Sequence, residues 1–189
     1  MRMKKTTLIR VGLLAIVIAA MGGLAYAANW NSGDDAKATK PPVKAKSGLP
    51  VEQLIVQGTL FDLEVAANTV DIARGLSKRT EIAEKTGMIF VFPSGNERFF
   101  WMIDCLIDLD IAYLSADGTV LSVYTMKKEA PRGKDESDMA YENRLKRYPS
   151  GAGAQFAIET PVGTNAALKI KPGLKIDINR KKLLGYLPR

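Results

Sequence analysis

Short β-prone runs, each closed off by turn residues, dominate the chain from residue 51 onward and limit it to a fold built on paired strands. Leu54-Ile55-Val56 and the alternating Leu60-Phe61-Asp62-Leu63-Glu64-Val65 flank Gln57-Gly58-Thr59, the pattern of a hairpin with a wet acidic face. Residues 88–92 are stopped by Pro93-Ser94-Gly95-Asn96, and further runs cover 98–103, 109–115, 119–124, 155–159 and 174–178. The turn Ala116-Asp117-Gly118 is the clearest hairpin signal. Two short helices interrupt the strands. Asn68 or Thr69 caps one that runs through Leu76, with Asp71 in its first turn, and Thr160-Pro161 opens the other. Residues 127–150 are polar without sustained periodicity and read as a long surface loop. The expected fold class is mainly β (α+β): a compact, mainly antiparallel β-barrel or sandwich with two short helices.

What precedes this domain is of another kind. Met-Arg-Met-Lys-Lys, an apolar run over 11–20 and Ala25-Tyr26-Ala27 form the charged, apolar and small-residue regions of a secretory signal. Cleavage after Ala27 is the preferred reading; an uncleaved membrane anchor is its competitor, because no charge interrupts residues 11–28. Residues 28–50, with Pro41-Pro42 and almost no bulky apolar side chain after Trp30, read as a flexible linker. The expected organisation is therefore 1–27 signal peptide or anchor, 28–50 linker and 51–189 a single domain. The expected location is exported, periplasmic or extracellular, with membrane contact only through an uncleaved N-terminal segment.

The formal charge of +7 invites a nucleic-acid reading. Arg2, Lys4, Lys5 and Arg10 belong to the leader, however, which leaves 23 basic against 20 acidic residues. The densest basic stretch, 127–147, is interleaved with Glu129, Asp135, Glu136, Asp138 and Glu142, so no nucleic-acid partner is expected. The chain has no histidine, which removes the usual hydrolase triads and the favoured transition-metal ligand. Its single cysteine, Cys105, cannot form an internal disulfide and is expected to be a buried, inert thiol.

Four segments in order carry a resemblance. They are Ala73-Arg74-Gly75-Leu76 with Arg79; Gly87-Met88-Ile89-Phe90-Val91-Phe92-Pro93; Phe100-Trp101-Met102 running to Leu109-Asp110-Ile111; and Asp117-Gly118 with Val120. This combination resembles the domain of unknown function 192 family over about residues 54–178. The resemblance implies a compact β-rich fold and supplies no reaction, substrate or cofactor. The chain departs from the family pattern at Ile103-Asp104-Cys105, at Asp108, at Pro161-Val162-Gly163 and in an apparent insertion over 134–146.

The chemistry-bearing residues admit sharp and bland readings. Asp104, Asp108 and Asp110 could hold a hard cation, yet they lack the spacing of a calcium loop, and capping or solvated roles are preferred. Two carboxylates could act on a glycosidic bond beside Trp101 as a stacking platform, although aromatic residues next to Phe99-Phe100 more often belong to a core. Arg74 and Arg79 could clamp an anionic group, or could answer the helix dipole and pair with Asp110 or Glu81. The candidate ligand-binding residues are Arg74, Gly75, Arg79, Trp101, Met102, Asp104 and Asp110. No catalytic residue, metal or cofactor is assigned. The leading expectation is a non-enzymatic binding or accessory module at the cell envelope, with a small molecule, glycan or envelope protein as partner. The alternatives are a carboxylate-dependent hydrolase or lyase acting on envelope carbohydrate, and a structural subunit of a larger assembly.

Overall fold

A computed structural model describes residue 45 and residues 47–189; the leader and most of the linker segment lie outside the described residues. Eight strands and four short helices follow in the order β1 (Val51–Val56), β2 (Thr59–Ala66), α1 (Thr69–Arg74), β3 (Thr86–Asn96), β4 (Phe99–Phe100), β5 (Leu109–Leu114), β6 (Val120–Met126), α2 (Asp138–Arg144), β7 (Tyr148–Pro149), β8 (Ala154–Pro161), α3 (Thr164–Ala167) and α4 (Arg180–Leu184). Six strands form one sheet in the order β1-β2-β3-β8-β5-β6, and β4 pairs with β7 in a separate ribbon. The fold is thus mainly β, as expected, but its main sheet is mixed and does not close into a barrel.

The locally encoded features form as the sequence dictates. Gln57 and Gly58, both at positive φ, turn β1 into β2 with Val56 opposite Thr59. Asp117 and Gly118 connect β5 to β6. Asn68 caps α1 by accepting the Asp71 N–H at 2.9 Å.

Other features depend on contacts distant in sequence. β2 and β3 are parallel, because residues 67–85, including α1, carry the chain back across the sheet before β3 begins. Thr160-Pro161 ends β8 instead of opening a helix, and α3 starts at Thr164. β3 continues through Pro93 to Asn96, with a shift of register against β8 after Val91. The run 174–178 is no sheet strand: it makes one isolated bridge, Thr119 to Lys175, and buries Ile176. The expected surface loop over 127–150 contains α2 and β7 and buries Tyr141, Leu145 and Tyr148. Leu49 is buried and the Pro50 carbonyl accepts the Val65 N–H, so the end of the segment read as linker joins the domain.

Alternation along the central strands divides the core in two. Ile89, Val91, Ala112, Leu114, Phe156 and Ile158 pack with the C-terminal segment, including Ile176 and Leu183. Met88, Phe90, Ile111, Tyr113 and Ala157 pack with Leu76, Met102 and Tyr148. By the same alternation, Glu159 falls in phase with Ala157, on the second face. Among the described residues no helix is long and apolar enough to cross a membrane.

Candidate functional site

On that second face a cavity of about 340 Å³ opens between α1 with its following turn, the segment that leaves β4, and α2. Arg74 and Gly75 come from the end of α1, Phe90 from β3, Phe99 to Trp101 from the β4 segment, Glu142 from α2 and Glu159 from β8. Gly75 ends the helix at φ 48°, ψ −133°, a conformation that side chains with a Cβ disfavour, and this brings the turn down onto Phe90. Phe100 packs edge-on against Phe90, Phe92 and Tyr113, with centroids 4.8, 6.5 and 5.6 Å away. These aromatic contacts make the deeper wall rigid and apolar.

Glu159 is the exception in that wall. It is 5% exposed, and burial alone pushes its carboxyl up to about 8. Among the described residues no donor or cation lies within bonding distance of the side chain. It can therefore donate a hydrogen bond when protonated, or accept a donor or cation when ionised. Two nearby groups respond to it. Burial first, then Glu159 and Asp104, push the Cys105 thiol up to about 12, and the Tyr113 hydroxyl, which donates to the Tyr148 carbonyl at 2.6 Å, is also raised. Cys105 is thus held as a thiol with little nucleophilic character.

Of the candidates read from the sequence, Arg74, Gly75 and Trp101 meet at this cavity. Arg74 pairs with Asp71 rather than with Asp110 or Glu81. The Arg147 guanidinium lies 3.6 Å over the Trp101 ring and is not itself part of the cavity wall. The other four candidates lie elsewhere. Met102 is core. Arg79 makes a two-pronged pair with Glu64, at 2.6 and 2.8 Å, on the β2 side. Asp104, at φ 52°, borders a neighbouring cavity of about 520 Å³ together with Lys78, Leu106 and Tyr141, and Cys105 borders both cavities.

Asp110 is buried and fully engaged. Its two oxygens accept from Thr125 Oγ1 at 2.7 Å and from the Asn165 N–H at 2.8 Å, which ties the start of α3 to β5. Asp108 accepts from Lys127 Nζ and the Lys128 N–H at 2.8 and 2.9 Å. The three aspartates therefore turn to three different partners, and no group of metal-ligating side chains gathers among the described residues. Asp110 thus orients α3 against β5, and the carboxyls at the cavity come from α2 and β8.

A family profile described as Uncharacterized ACR, the domain of unknown function 192, matches residues 52–178. The chain belongs to this family. Its resemblance to a protein of unknown function from Novosphingobium aromaticivorans DSM 12444, known from a crystal structure, is 29% in sequence with a TM-score of 0.59. That match covers 74% of this chain and 94% of the other. A second crystal structure, of a protein from Sinorhizobium meliloti 1021 provisionally described as a transcription regulator, is 23% identical with a TM-score of 0.51. It covers 66% of this chain and 89% of that one, and at this identity it speaks for the fold alone. No curated protein matches the chain.

In this domain of unknown function 192 member, the segments that carried the resemblance build the cavity and its support. Gly87 allows β8 to approach β3: a Cβ there would stand 2.1 Å from the Glu159 carbonyl oxygen. Glu159 itself escaped the sequence reading. Its one signal was a carboxylate ending the apolar strand 155–159 in phase with Ala157, and the strand's burial on both faces, which makes that position exceptional, comes from its neighbours β3 and β5.

Proposed function

We propose that this domain is a binding module that takes one small organic molecule into the cavity between α1, the β4 segment and α2, and that it works outside the cytoplasm, at the cell envelope. The observation that carries the reading is Glu159: a carboxyl buried in an aromatic-lined cavity without a partner of its own among the described residues. Burying such a group without a hydrogen bond costs about 1–3 kcal/mol. A ligand that supplies the partner recovers that penalty, and cavities of this size with one convergent polar group suit small molecules. The envelope location rests on Met1 to Ala27, whose charged, apolar and small-residue regions follow the order of a secretory signal. A glycan fragment or an envelope protein bearing a small side chain would enter the same cavity.

A carboxylate-dependent hydrolase is the second reading. Glu142, exposed on α2, and Glu159, buried on β8, are two carboxylates of unlike environment bordering one cavity, the arrangement by which acid and base roles are divided on a glycosidic bond.

Thermal unfolding of the wild type and of Glu159→Gln, screened against amines, sugars, cell-wall fragments and carboxylates, tests the binding reading. A ligand at about a hundred times its dissociation constant adds about 2.7 kcal/mol and raises the midpoint by roughly 5 to 10 °C. The expected result is a class of compounds that shifts the wild type and leaves Glu159→Gln unmoved. Equal shifts in both proteins would remove Glu159 from the site. Turnover of aryl glycosides that is lost in both Glu142→Gln and Glu159→Gln would move the assignment to the hydrolase.

A further inference from the structure

We propose that the molecule held in this cavity is an organic cation, an ammonium or amidinium group on an apolar body, with the charge placed against Glu159. The inference rests on the cavity reading above and names the class of its occupant.

The charges within the wall do not balance. Arg74 is the cation of the wall, and its guanidinium is committed to Asp71. That pairing offsets the charge of Arg74 with a carboxylate outside the wall. Two carboxyls remain, Glu142 from α2 and Glu159 from β8, and neither has an ion-pair or hydrogen-bond partner for its side chain among the described residues. The groups around Glu159 from the other elements are uncharged: Met88 and Ile111 opposite it on β3 and β5, Tyr113 further along β5, the Cys105 thiol, and Phe90 and Phe100 in the same cavity lining. Arg147 stacks on Trp101 and is not part of the wall; its Nη1 is the one fully buried side-chain nitrogen or oxygen without a hydrogen-bond partner among the described residues, and the Trp101 ring lies between that guanidinium and the cavity.

Where Glu159 is ionised, the apolar space carries unmatched negative charge and selects against anions, because desolvating a second negative group beside it gains nothing in return. Aromatic ring faces carry negative potential and favour a cation over a neutral isostere. The apolar body of the ligand would lie against Phe90, Phe100 and Trp101. A cation also resolves the state of Glu159. Its carboxyl titrates near 8 when the cavity is empty, so binding of an ammonium at neutral pH expels a proton. Apparent affinity then rises by about tenfold per pH unit up to about 8 and levels off above it. Alkylamines remain charged across that range, as a lysine side chain does with its value of about 10.4.

Isothermal titration calorimetry of the purified protein with three compounds of similar shape, phenethylammonium, 2-phenylethanol and 3-phenylpropionate, is the test. At pH 8 the ammonium should bind about tenfold or more tighter than the alcohol, the factor expected of one hydrogen bond to a charged group, and the anion should bind least. Titrations at pH 7 in two buffers of different ionisation enthalpy should show close to one proton released per ammonium bound, a readout that needs no variant. Glu159→Gln should level the ammonium with the alcohol, its folding checked by its melting curve, while Glu142→Gln should keep most of the preference. If the alcohol binds as tightly as the ammonium, or the anion more tightly, the cation inference is overturned and the cavity reading stands. If none of the three binds, the cation inference is overturned, and the cavity reading falls with it when the thermal screen against sugars, cell-wall fragments and carboxylates also moves nothing.

Discussion

Glu159 lies two residues beyond Ala157 on β8, in a stretch of strand buried from Ala154 to Thr160. An isolated charge in such a place is disfavoured, and the folded domain holds the proton to a pH of about 8 against 4.5 in the ordinary state. The sign of the consequence follows from proton counts. Between about 4.5 and 8 the folded state keeps a proton that the unfolded chain has lost, so stability falls as pH rises through this window and flattens above it. Each pH unit of that window corresponds to about 1.4 kcal/mol. Glu159→Gln removes the dependence. The variant should match the wild type at pH 4.5 and exceed it in melting temperature by a margin that grows to pH 8, measured by circular dichroism across pH. A constant margin at all pH values would show that Glu159 ionises freely. The Arg79–Glu64 pair behaves oppositely. Although burial opposes ionisation of Glu64, hydrogen bonds from Arg79 and Ser47 hold its carboxyl below the usual range, so its contribution is lost as pH falls.

At the scale of elements, the approach of β3 to β8 sets the site. Gly87 stands where the Glu159 carbonyl passes, and Gly87→Ala must push β8 outward or break the ladder. The expected loss is on the order of 3 kcal/mol, read as a fall of roughly 10 °C in melting temperature. A loss within experimental error would mean that β8 shifts freely, which would also unfasten Glu159. The same elements show what a sequence conveys. The two hairpins and the Asn68 cap were legible because their signals lie within a few residues of the structure they make. The parallel pairing of β2 with β3 was not, since alternation of side chains fixes faces and not strand direction. Pro161 carried a helix-opening signal that the ladder to Leu109 overrode. Tyr141, Leu145 and Tyr148 gave 127–150 its buried anchors, too sparse among charges to register as periodicity. At the site, Arg74, Gly75 and Trp101 could be picked out through the family resemblance. Asp110 was drawn in by its chemistry, although its partners Thr125 and Asn165, supplied by β6 and α3, make it structural.

For the domain as a whole, the two faces of the sheet carry different duties. The first is closed by the C-terminal segment, with Lys182 and Tyr186 both bonded to the Glu52 carboxylate on β1. The second carries the cavity, walled by elements that are short and rich in loops, where adaptation to a ligand is cheapest. A binding module needs this division: a fixed sheet that holds one buried carboxyl in place, and a less regular wall through which a ligand enters. Such binding requires that carboxyl to be without a protein partner in the free protein. A carbon-13 NMR titration of the glutamate side-chain carboxyls, with Glu159 assigned by its absence in Glu159→Gln, reads this directly. The expected midpoint for Glu159 is near 8 without ligand, moving below about 6 when phenethylammonium is bound. A midpoint near 4.5 in the free protein would show a solvated or already partnered carboxylate and would contradict it.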